Sequence, residues 1–114
     1  MNINKLIIDT LRPIGLDVRY RVYNGSNSTY ITFFEMNNID DDYSDGDNET
    51  EIHSIQIDLW SSQDPTELKK KIKQTLKSKF EDITYQDLYE PDTKIFHIAF
   101  RCYFYEDRES ELNG

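Results

Sequence analysis

At 114 residues, with a formal net charge of −9 and 13% aromatic residues that include eight Tyr and six Phe, the chain suits one folded domain rather than a disordered polymer. A domain of this size buries roughly two thirds of the surface its unfolded form exposes. The acidic balance speaks against DNA or an anionic membrane as the main partner, because phosphate binding runs on Lys and Arg releasing counterions.

The start, Met1-Asn2-Ile3-Asn4-Lys5, lacks the apolar region of a secretion signal, and no stretch approaches the roughly twenty apolar residues a membrane helix needs. A cytoplasmic protein is therefore expected. A single cysteine, Cys102, can form no internal disulfide, and the Asn-x-Ser/Thr matches at Asn24, Asn27 and Asn48 read as chance.

Ile3, Leu6, Ile7 and Leu11 fall on one helical face, and Pro13 with Gly15 ends that helix. So short a helix is marginal in water and must pack on something else, most simply a sheet. Val18 to Tyr23 and Thr29 to Met36 read as two strands joined by Asn24-Gly25-Ser26-Asn27-Ser28, a pattern that predicts a hairpin. Between Asp40 and Glu51 stand seven acids (Asp40, Asp41, Asp42, Asp45, Asp47, Glu49 and Glu51) and no Lys or Arg. Crowded like charge disfavours compact structure, so residues 37–50 are expected to form a mobile loop.

A third strand follows, in which His53, Ile55, Ile57 and Leu59 alternate with Ile52, Ser54, Gln56 and Asp58. Asp64-Pro65 with Glu67 then predicts a capped helix, Asp64 as the cap and Pro65 in the first helical position. Leu68, Ile72, Leu76 and Phe80 form its buried stripe, while Lys69, Lys70, Lys71, Lys73, Lys77 and Lys79 mostly face outward.

Ile83 to Tyr89 reads as a fourth strand, Glu90-Pro91-Asp92-Thr93 as a turn, and Lys94 to Tyr105 as a fifth strand of twelve residues. At about 3.3 Å per residue that strand spans roughly 40 Å. Phe96, Ile98, Phe100, Cys102 and Phe104 lie on one face; Ile95, His97, Ala99, Arg101, Tyr103 and Tyr105 lie on the other. With helices over the first face, Arg101, Tyr103 and Tyr105 become candidates for an interface, since such side chains bury area while keeping a polar tip. The whole reads as one α+β domain over residues 1–106, about five mostly antiparallel strands with two helices packed on one face, and a flexible tail over 107–114.

Little in the chain suits catalysis. With Gly46 set at the sixth position of a calcium-binding loop, Asp41 and Asp45 fall at positions one and five, but Tyr43 and Ile52 occupy positions three and twelve, where ligands are needed. Cys102 and His97 lie on opposite faces of one strand and cannot pair, so Cys102 reads as a small buried hydrophobe. Glycines at 15, 25, 46 and 114 make no phosphate cradle. No catalytic residue, metal site or cofactor is expected. The lysine run lacks interleaved aromatics and reads as a solvated face. Acids in one loop (Asp40, Asp41, Asp42, Asp45, Asp47, Glu49) and lysines on one helix (Lys69, Lys70, Lys73, Lys77) also suit contacts between neighbouring copies.

The order of these segments resembles the tail-completion, or tail-terminator, proteins of long-tailed bacteriophages. The likeness runs through the first helix (Ile3 to Leu11), Tyr30-Ile31-Thr32-Phe33-Phe34, the acidic loop, Ile55-Gln56-Ile57-Asp58-Leu59-Trp60-Ser61, the Leu68 to Phe80 helix and Asp92-Thr93-Lys94-Ile95-Phe96-His97. The resemblance implies helices on a mostly antiparallel sheet, and a structural protein that forms a sixfold ring. That ring caps the head-proximal end of the tail tube and joins it to the head connector or stopper protein. It implies a protein at the tail-neck junction of the virion, in the host cytoplasm during assembly, as a monomer or small oligomer before the ring forms. Genomic DNA would pass through the ring without specific binding, and no membrane is involved. Two rival readings share the composition: another neck component such as a head-completion or stopper protein, and an acidic inhibitor that mimics DNA. The concentration of carboxylates in one loop, rather than along a surface, speaks against the second.

Overall fold

A computed structural model describes residues 1–41 and 50–107. Helix α1 (Ile3–Leu11) starts where the Asn2 side chain accepts from the Lys5 backbone N–H at 3.0 Å, and it ends in a 3-10 turn (Arg12–Ile14) closed by Gly15 at φ 85°. Only glycine takes that left-handed conformation without strain. Five strands follow: β1 (Asp17–Tyr20), β2 (Thr29–Asp41), β3 (Thr50–Ser61), then, after helix α2 (Thr66–Leu76), β4 (Glu81–Glu90) and β5 (Ile95–Asp107). They form one mixed sheet in the order β1-β2-β3-β5-β4. The α+β architecture is the one expected.

The expected hairpin over residues 18–36 does not form: β1 runs parallel to β2, with Val18 beside Ile31 and Tyr20 beside Phe33. The chain reverses at once after β1, Arg21 taking φ 65° and the Val22 N–H reaching back to the Tyr20 carbonyl at 2.7 Å. It then retraces β1 before β2 begins. Tyr23 stacks on Tyr30 with centroids 4.0 Å apart, and its hydroxyl donates to Asp17 Oδ2 at 2.8 Å, where Asn27 Nδ2 also donates. These two donors hold the Asp17 carboxyl below its usual pKa. Gly25 serves the approach to Tyr23, whose ring a β-carbon at this position would strike. A tight hairpin forms instead between β4 and β5, closed by the turn over residues 91–94 with the Lys94 N–H donating to the Glu90 carbonyl.

A second difference concerns the acidic segment. β2 continues through Asn37–Asp41, paired with Thr50–Ser54, after a bulge between Glu35 and Asn37. Backbone pairing to β3 overrides the composition there, so Asp40 and Asp41 are strand residues. Asp42, Asp45, Asp47 and Glu49 lie outside the described residues.

α2 begins at Thr66, one residue later than expected, with Pro65 flanking it; Asp64 Oδ1 still accepts from the Thr66 N–H and hydroxyl, at 3.0 and 2.6 Å. It ends at Leu76, before Phe80, yet the apolar stripe holds. Ile72, Leu76 and Phe80 are buried and Leu68 packs at the rim. Both helices lie on the sheet face that carries Ile31, Phe33, Ile55, Ile57, Leu59, Ile98, Phe100 and Cys102. The Cys102 thiol is pushed up to about 12 by burial.

Candidate functional site

The sheet face without helices is organised by aromatic stacking. Tyr23 and Tyr30 stack, Tyr30 and Trp60 lie with centroids 6.4 Å apart, and Trp60 lies face-on to His97 at 3.8 Å, so one row crosses β2, β3 and β5. The row follows from register, since Tyr30 faces Trp60 and Trp60 faces His97 across their ladders. Beside it the buried carboxylate of Asp58 accepts from His97 Nε2 at 2.7 Å and from Gln56 Nε2 at 3.0 Å, while Trp60 Nε1 donates to Thr32 Oγ1 at 3.0 Å. These bonds spend the polar atoms on holding the face rigid.

The expected interface residues fall into three groups. Arg101 and Tyr105 are exposed and Tyr103 half-buried on the open face, as the alternation predicts. The Tyr105 hydroxyl donates to Asp82 Oδ2 at 3.2 Å, and desolvation together with that carboxylate raises its pKa. The lysines divide. Lys70 and Lys77 are exposed, but Lys69 and Lys73 turn down over the Tyr85 ring, at 4.8 and 5.5 Å, and Lys69 pairs with Asp87 at 3.2 Å. Those two fasten α2 to β4 within the subunit. Asp40 and Asp41 lie at the far end of β2, and Asp42, Asp45, Asp47 and Glu49 fall outside the described residues.

Sequence reasoning missed two features. The first is the edge position of β4, which leaves Tyr85, Leu88 and Tyr89 exposed and borders a groove of about 280 Å³ against the start of α2. The second is a polar cluster on the helix side of the sheet. There His53 is 4% exposed, its Nδ1 bonded to Glu35 and its Nε2 3.0 Å from Glu106 Oε1, with Glu51 Oε2 at 4.0 Å. The Met1 amino group stands 3.9 Å from Glu106, and Asn38 Nδ2 donates to Glu51 Oε1 at 2.6 Å. Burial works against charge on His53, but the bonds to Glu35 and Glu106 outweigh it and raise its pKa. The signal available in sequence was His53 itself, a titratable residue standing in an apolar alternation.

No family model matches the chain, and no curated protein matches it either. Among solved structures it is similar to a chain in the virion of a native gene transfer agent particle, with a TM-score of 0.55 and 13% sequence identity over 85% of this chain and 84% of that one. At that identity the likeness is one of fold. Among the described residues no helix is long and apolar enough to cross a membrane.

Proposed function

We propose that the protein is a structural component of a phage-like virion, and within it a tail-terminator: a homomeric, sixfold ring that caps the head-proximal end of the tail tube and receives the head connector or stopper protein. The observation that carries this reading is the fold likeness to a chain of a gene transfer agent virion, which extends over 85% of this chain. The surfaces agree with it. A rigid aromatic face ends in exposed Arg101 and Tyr105, and a long edge strand exposes Tyr85, Leu88 and Tyr89. Such a subunit has two non-equivalent sides to offer its neighbours, which is what a closed ring of head-to-tail contacts requires. In this reading the genome passes the ring without specific binding, and the protein sits at the tail-neck junction.

Electron microscopy of particles made without this protein tests the proposal. Free filled heads beside tails of abnormal length are expected; normal particles would overturn the structural role. Binding of the purified protein to isolated tails supports the terminator, whereas binding to filled heads alone would make it a head-completion or stopper protein.

A further inference from the structure

We propose that Glu51, His53 and Glu106 form a binding site for a divalent first-row transition cation, with Glu35 as the residue that orients His53. The backbone sets the three ligands. Glu51 and His53 are two apart on β3 and so share a face, and Glu106 on β5 stands directly across from Glu51. One ligand atom from each lies within 4.8 Å of the others, close enough that small side-chain rotations would bring all three onto one ion.

The outer shell is also present. Glu35 on β2 engages Nδ1 of His53, which directs Nε2 toward Glu106 and Glu51. This is the carboxylate–histidine arrangement that fixes ring orientation and tautomer at metal centres. The site is enclosed as well: His53 and Glu106 are 4% and 7% exposed, and the Met1 amino group stands 3.9 Å from Glu106. One imidazole with two carboxylates suits Zn²⁺, Mn²⁺, Fe²⁺ or Co²⁺, whereas an imidazole ligand disfavours Ca²⁺ and Mg²⁺. A bound ion would take the place of the proton between Nε2 and Glu106 and would tie β3 to β5. The site does not depend on the virion reading.

The test is calorimetric titration of the tag-free, chelator-treated full chain with Zn²⁺, in excess Mg²⁺ so that exposed carboxylates are already occupied by a hard cation. Saturable one-to-one binding is expected. Glu35→Gln should weaken it about 10- to 100-fold, the range for loss of an outer-shell partner. His53→Gln should abolish it, and half-exposed Glu51, whose replacement by Gln leaves the buried pair of His53 and Glu106 in place, keeps the result readable if the histidine variant does not fold. Co²⁺ should give visible absorption bands that these substitutions remove. Absence of binding, or binding unchanged in Glu51→Gln and Glu35→Gln, would overturn the proposal and leave His53 as a structural side chain hydrogen-bonded between two glutamates.

Discussion

Beneath α1 and α2 the sheet is sealed by apolar side chains such as Phe33, Ile57, Leu59 and Phe100, all inaccessible to solvent, whereas a few residues further along the same strands it is closed by Glu35, His53 and Glu106. The first region is held by non-directional burial that tolerates small adjustments; the second depends on particular atoms meeting, and a missing partner strands a charge. A single ladder thus joins a salt-insensitive half to one governed by electrostatics.

The largest effect that would sharpen this contrast is Phe100→Ala, expected to cost about 3–5 kcal/mol in urea unfolding, with little dependence on ionic strength. Glu106→Gln should cost less, about 1–3 kcal/mol, because a charged partner of His53 is lost; hydrogen exchange should quicken first in Glu51–Ser54 and Tyr103–Glu106. If the two substitutions loosen the same amides equally, the division is wrong. Cys102, paired with Ile55 at the boundary, provides a probe without cost to stability. With its thiol pushed up to about 12, it should resist alkylation at pH 8 in the folded chain and react at once in denaturant. Lys69→Ala should change least, about 0–1 kcal/mol, since its pairing with Asp87 is on the surface.

Much of the apolar half was legible because a period of two or of 3.6 residues is a local property: Ile55 to Leu59 on β3, Ile72 and Leu76 on α2, Ile98 to Cys102 on β5. The β1–β2 pairing was not. Asn24-Gly25 carries a genuine reversal signal, but Tyr23 stacking on Tyr30 and the two bonds to Asp17 fold the loop back along β1 and make the pairing parallel. Asn37–Asp41 looked like loop because composition cannot register the strand waiting at Thr50–Ser54. On the functional side, alternation alone placed Arg101 and Tyr105 outward. The cluster around His53 was hidden because its members come from positions 35, 51, 53 and 106 and meet only through the registers of two ladders.

The outermost strand carries a consequence for handling the purified chain. A ten-residue edge with exposed tyrosines and a leucine would ordinarily template fibres, yet Asp82 at φ 52° breaks the ladder between Glu81 and Thr84, and Glu81, Asp82, Asp87 and Glu90 load the margin with negative charge. The broken ladder and the acidic margin both disfavour edge-to-edge pairing between copies of this chain near neutral pH.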